Sequence, residues 1–181
     1  MKKEIFQEIE IPEGIEVNVE KGLVTIKGPK GELKRNFNLY KISLEKKDGK
    51  IIIGNKKSTK NEKRRTNTTA AHIKNMIKGV KEKFEYKLKI CFSHFPATLE
   101  IKGNKAIIKN FLGEKVPREF ELPKERVEIK NDGGIITISS CDLELAGQTA
   151  AGFEAITRIS KRDRRVFQDG IFITHKPGRE I

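Results

Sequence analysis

The chain states one pattern twice. Val17-Asn18-Val19 is answered by Leu99-Glu100-Ile101, and Gly31-Glu32 by Gly113-Glu114. Phe37 meets Phe120 after a one-residue slip. The turn Asp48-Gly49-Lys50, followed by three apolar residues, matches Asp132-Gly133-Gly134 followed by Ile135-Ile136-Thr137. Finally Thr69-Ala70-Ala71-His72-Ile73 matches Thr149-Ala150-Ala151-Gly152-Phe153. The correspondences keep one order at an offset of roughly eighty residues, a period too long for a solenoid. They describe a duplicated domain, built each time as hairpin, hairpin, helix.

Local patterns supply the elements. Residues 9–53 read as short strands. Residues 16–27 place Val17 and Val19, then Leu23, Val24 and Ile26, around a Lys21-Gly22 turn, a hairpin signal. Gly28-Pro29-Lys30-Gly31 breaks that run, and Leu33, Phe37 and Leu39 resume it. Ile42 and Leu44, the Asp48-Gly49 turn and Ile51-Ile52-Ile53 form the next hairpin. A polar stretch over residues 55–67 leads into a helix predicted from Thr68 to about Val80. Its apolar positions are Ala70, Ile73, Ile77 and Val80, with Thr66, Asn67 or Thr68 as the cap. Tyr86, Leu88, Ile90 and Phe92 alternate strictly, so residues 85–92 are a strand that either opens the second half or links the halves. A second helix opens near residue 148, carried by Ala150, Ala151, Phe153, Ala155, Ile156 and Ile159. Asp169-Gly170 reads as a turn and Ile171-Phe172-Ile173 as a short buried strand. The fold class is α+β: two tandem duplicated domains, each an antiparallel β-sheet packed against one helix. The boundaries fall at residues 1–81 and 82–181, the second half carrying the basic segment.

Charge points to the partner. Lys and Arg number 38 against 25 Asp and Glu, a formal net charge of +13. Such an excess repels itself unless a polyanion is present, and nucleic acid is the leading candidate, with an anionic membrane as competitor. No run of 18 apolar residues exists, and residues 1–14 have no signal-peptide core, so a soluble cytoplasmic protein is expected. Cys91 and Cys141 lie far apart without metal-ligand spacing and read as buried thiols in a reducing compartment, a disulfide remaining the alternative. The hydrophobic fraction of 36% recurs in periodic runs, which argues for folded domains with small cores.

Three basic clusters stand out. Arg158, Lys161, Arg162, Arg164 and Arg165 are opposed only by Asp163. If the second helix persists through them, Arg158, Arg162 and Arg165 share one face, and their mutual repulsion calls for outside compensation. The second cluster is the loop holding Lys56, Lys57, Lys60, Lys63, Arg64 and Arg65; the third is Lys176 with Arg179. The planar Arg fork suits phosphate. With ten Phe, two Tyr and no Trp, and no RNP sequence, base stacking is disfavoured; structured RNA read through shape and phosphate fits better. For catalysis there is little. His72, His94 and His175 sit on different elements, and Gly28-Pro29-Lys30-Gly31 lacks the P-loop spacing. No catalytic residue, metal or cofactor is expected.

Residues 148–176 then carry a resemblance: Gln148, Ile156, Arg158, Arg164 or Arg165, Phe167, Asp169-Gly170, Ile171-Phe172-Ile173 and Lys176. With Ile11-Pro12-x-Gly14-Ile15-x-Val17 and Val24-Thr25-Ile26-Lys27-Gly28-Pro29-x-Gly31, the chain resembles ribosomal protein six of the large subunit in its archaeal and eukaryotic form. Residues 177–181 lack the Lys-Gly-rich tail expected of the bacterial branch. The resemblance implies a structural protein that binds large-subunit rRNA near the stalk base, beside neighbouring ribosomal proteins and, transiently, translation factors. It also implies that Arg158, Lys161, Arg162, Arg164, Arg165 and Lys176 contact phosphate, that Phe167 and Asp169-Gly170 shape their presentation, and that Gln148 and Thr149 cap the helix or reach RNA. The alternatives are a free-standing assembly factor that binds structured RNA, and a nuclease.

Overall fold

Strand alternation and the turn residues between strands generate nearly everything in this fold. The computed structural model describes residues 3–47, 49–123 and 126–181. The chain divides into two units, Met1–Lys83 and Phe84–Ile181. In the first, β1 (Lys3–Glu10) precedes a meander of β2 (Glu16–Glu20), β3 (Leu23–Gly28) and β4 (Gly31–Asn36). The hairpin β5 (Ser43–Lys47) and β6 (Lys50–Ser58) follows, then helix α1 (Lys60–Lys81). The second unit repeats this order. It runs β7 (Phe84–Cys91), β8 (Thr98–Lys102), β9 (Lys105–Lys109), β10 (Arg118–Glu121), β11 (Glu128–Asp132), β12 (Ile135–Ser140) and α2 (Leu143–Ile156). It then adds β13 (Gly170–Lys176) and the short β14 (Arg179–Glu180).

The duplication predicted from the sequence is therefore real at the level of elements. Val17–Val19 lies in β2 and Leu99–Ile101 in β8. Thr69-Ala70 and Thr149-Ala150 are buried at equivalent points of α1 and α2. Gly133-Gly134 turns between β11 and β12 as Gly49 does between β5 and β6; Asp48 lies outside the described residues. Gly31 and Gly113 differ locally, since Gly31 opens β4 while Gly113 closes a single 3-10 turn. At one matched pair the units solve the same packing problem differently. His72 lies beside Phe37, ring centroids 6.2 Å apart, whereas Gly152 leaves the room that Phe120 fills. Phe120 meets Phe153 edge-on at 5.8 Å, and a Cβ at position 152 would lie 2.2 Å from the Phe120 ring.

All strand pairs are antiparallel, but each unit divides its strands between two sheets. The orders are β1-β6-β5 with β2-β3-β4, and β11-β12-β7-β13-β14 with β10-β9-β8. The alternating strand over residues 85–92 is β7, which opens the second unit and lies inside its larger sheet. There Leu88, Ile136, Ile138 and Ile171 close against Ala146, Ala150 and Phe153 of α2. Each large apolar side chain so buried contributes about 2–3 kcal/mol. Gly28 and Gly31 pair across a tight turn, as the turn reading of that motif expects, and Lys30 donates its N–H to the Val80 carbonyl at the end of α1 (3.0 Å).

Helix α1 starts eight residues earlier than predicted, and none of Thr66, Asn67 or Thr68 caps it. Thr59 does, with Glu62 reaching back to the Thr59 N–H at 2.8 Å. The first turns form although they are polar because Thr66 and Thr69 turn inward beside Ala70 and Ile73. Cys91 and Cys141 are half-buried rather than buried, and neither forms a disulfide. No helix among the described residues is long and apolar enough to cross a membrane.

Candidate nucleic-acid interface

The basic segment of the second unit is set by how α2 ends. Asp142 caps its start, accepting the Glu144 N–H at 2.9 Å. At the other end the Thr157 hydroxyl reaches the carbonyls of Phe153 and Glu154, at 3.2 Å each, and accepts the N–H of Ile171 at 3.0 Å. Arg118, from β10, donates to the carbonyls of Ile156 (2.7 Å) and Arg158 (3.3 Å). Its guanidinium is held by a two-pronged bond to Glu114 (2.6 and 2.8 Å) and lies over the Phe111 ring. The hydrogen bond from Arg118 lowers the Glu114 carboxyl below its ordinary range against the opposing effect of burial. With its last carbonyls claimed, α2 stops at Ile156. The shared helical face of Arg158, Arg162 and Arg165 expected from the sequence is not formed.

Residues 157–169 instead run as an irregular connection with fixed internal contacts. Asp163 makes a turn: its carbonyl accepts the N–H groups of Val166 and Phe167 (3.2 and 2.9 Å), and its carboxylate accepts that of Arg165 (2.9 Å). Lys161 adopts a left-handed backbone, φ 60°. The Arg162 guanidinium lies 4.8 Å over the Phe167 ring, which stacks on His94 at 4.7 Å. Asp169 closes the segment. Only 3% exposed, its carboxylate accepts the N–H groups of Ser93 (2.7 Å) and His94 (3.1 Å) and meets His94 Nδ1 at 2.7 Å. Burial opposes its ionisation, but the bonds from His94 and Ser93 outweigh that and hold the carboxyl well below the usual range. Asp169-Gly170 is thus an anchor and a strand start rather than the turn expected, because a carboxylate this buried must be saturated by donors. Of Ile171-Phe172-Ile173, only Ile171 is fully buried; Phe172 is exposed.

Arg158, Lys161, Arg162, Arg164 and Arg165 are all exposed on this connection. Arg165 meets Asp163 at 3.4 Å; among the described residues, no carboxylate pairs with Arg158, Lys161 or Arg164. Lys176 and Arg179 oppose each other across the β13–β14 pair. They stand a strand's length from Asp169, about 20 Å at the usual rise per residue, so the structure does not bring them into the same cluster. Lys56 and Lys57 end β6, while Lys60, Lys63, Arg64 and Arg65 lie on the first turns of α1, not in a loop. There they crowd the positive end of the helix dipole, an arrangement that an external anion relieves. Arg65 is drawn aside onto Tyr40, 5.4 Å over its ring. Gln148 and Thr149 cap nothing. Thr149 is buried in mid-helix with its hydroxyl on the Leu145 carbonyl, and Gln148 is exposed. Sequence reasoning passed over Ser93 and Arg118 and gave His94 no role; of these only the Glu114–Arg118 spacing left a local trace.

Comparison with known proteins bears on the whole chain. Residues 11–83 and 95–170, the two units in turn, match the family described as ribosomal protein L6. A protein of Nanoarchaeum equitans named large ribosomal subunit protein uL6 is 43% identical, over 98% of this chain and 96% of its own. One of the same name in Methanosarcina mazei is 42% identical over 97% and 99%. A third, from Staphylothermus marinus, is 43% identical over 93% of both chains. Two consecutive family matches on two equivalent units, and near-full-length relatives at this identity, place the chain in the ribosomal protein L6 family.

Proposed function

We propose that this chain is a structural constituent of the large ribosomal subunit that binds large-subunit (23S-type) rRNA near the stalk base and the factor-binding region. The relatives' shared name supports the subunit; the position follows the family resemblance. The observation that carries the RNA contact is the anchored connection over residues 157–169, which holds five cations in solvent. Arg158, Lys161, Arg162, Arg164 and Arg165 are the main phosphate ligands. Lys176 and Arg179 form a second contact, and Lys56, Lys57, Lys60, Lys63, Arg64 and Arg65 a further surface on the first unit. The mechanism is positional: the cations release counterions from the RNA and fix its backbone, without catalysis. Neighbouring ribosomal proteins and passing translation factors are its other partners, in the cytoplasm.

The test is chemical footprinting of large-subunit rRNA with the intact chain and with a variant in which Arg158, Arg162, Arg164 and Arg165 are changed to Ala. Protection confined to one rRNA domain and lost in the variant is expected. Unchanged protection would move the site to residues 56–65, and no protection by the intact chain would overturn the reading.

A further inference from the structure

Beside the cationic connection lies an open-sided cavity of 820 Å³ between the end of α2, residues 157–169 and β13, within the range of small-molecule clefts. Its walls include Phe172, Phe167, Ile159, Arg158, Arg164 and Gln168. Phe172 is 46% exposed, unusual for a large aromatic in a strand of a core sheet. Its ring occupies room left by what is missing two residues earlier. A Cβ at Gly170 would lie 3.1 Å from the ring, so glycine lets the ring settle over the backbone. An exposed ring on a strand of a hydrogen-bonded sheet offers a flat face on which a base can stack.

The charges around the cavity are sorted. Asp169 is buried and saturated by Ser93 and His94. Glu154 accepts the Ile173 N–H at 2.9 Å with one oxygen, which leaves its other oxygen for a donor. Arg158 and Arg164 line the same cavity as Glu154, and among the described residues no ion pair joins either of them to a carboxylate. An aromatic platform, unclaimed guanidinium groups and one acceptor are the groups that recognise a base turned out of its stack and the phosphate beside it. A regular RNA duplex presents its backbone and has no base to place in such a cavity.

We infer that this cavity receives one unpaired nucleobase of the bound RNA, stacked on Phe172, with the adjoining phosphate held by Arg158 and Arg164. The inference rests on the proposed RNA-binding function and adds base recognition, which the sparse aromatic composition argued against.

Affinity of the full chain for large-subunit rRNA, measured across a salt series, separates the two kinds of contact. Loss of one stacked base weakens binding about 5- to 150-fold. Phe172→Leu is expected to show that loss with an unchanged salt slope, because no phosphate contact is removed. Phe172→Tyr, which keeps the ring, should bind as the parent chain does. Arg164→Gln should flatten the slope by roughly 0.7–0.9. Short-wavelength photocrosslinking of the parent complex should leave a nucleotide on Phe172. Phe172→Leu binding within twofold of the parent, or Phe172→Tyr losing as much as Phe172→Leu, overturns the base site while leaving the ribosomal reading intact. A parent chain that prefers large-subunit rRNA no more than an unrelated RNA of equal length overturns both.

Discussion

The Asp169 carboxylate shows how one residue can order a surface it never joins. It ties residues 93 and 94 to the end of the cationic connection, and through His94 it supports the Phe167 ring under Arg162. Removing it leaves two N–H donors without their acceptor and takes the carboxylate partner from the His94 ring nitrogen. Asp169→Ala should therefore destabilise the second unit by about 3 kcal/mol, read from urea unfolding. The pH dependence has a definite sign. The folded carboxyl lies below its ordinary value, so its contribution is complete above the unfolded value of about 4 and is lost as pH falls through the folded one. The stability gap between the parent chain and Asp169→Asn should narrow on acidification below about pH 4. A gap that held constant to pH 2 would show that the charge is immaterial.

Among the elements, α2 shows the limit of local reading. Its apolar face was legible at Ala150, Phe153 and Ile156, yet its end was not. Arg118, 38 residues away, caps the Ile156 carbonyl, and no local pattern announces that. Arg118→Leu should fray the last turn: amide exchange at residues 155–158 should quicken by one to two orders of magnitude, as befits about 1–3 kcal/mol. Unaltered exchange would return the helix stop to Thr157 alone. The start of α1 failed for the opposite reason. Thr59 and Glu62 stand at capping-box spacing in plain sight, but the polar run after them masks the helix because its buried positions there include threonines. Strands were easier, since period-two alternation survives in β2, β3 and β7, and β6 announces itself as an apolar run after a turn. The cations of residues 158–165 were found by composition; their presentation was not, because Ser93, His94 and Asp169 meet only in the folded chain.

On the scale of the whole molecule, the duplicated plan carries unequal work. Both units contain strand, meander, hairpin and helix, but only the second adds β13 and β14 and the cationic connection leading to them. If binding is dominated by phosphate contacts from that addition, the slope of log K against log salt should fall by roughly 4 when Arg158, Lys161, Arg162, Arg164 and Arg165 are all neutralised. A slope unchanged within error would assign the electrostatics to the first unit. The placement of β13 has a further consequence, for synthesis. Thr174 bonds the backbone of Lys87, 87 residues earlier, so β7 waits with one edge bare while most of its unit is being made. All the partners of the first unit's sheets are present once residue 81 has emerged. A nascent chain should therefore carry a finished first half and an open, association-prone second half until its final strands arrive. The cationic connection is completed only in that last step, so the binding surface proposed for it forms after the first unit is already folded.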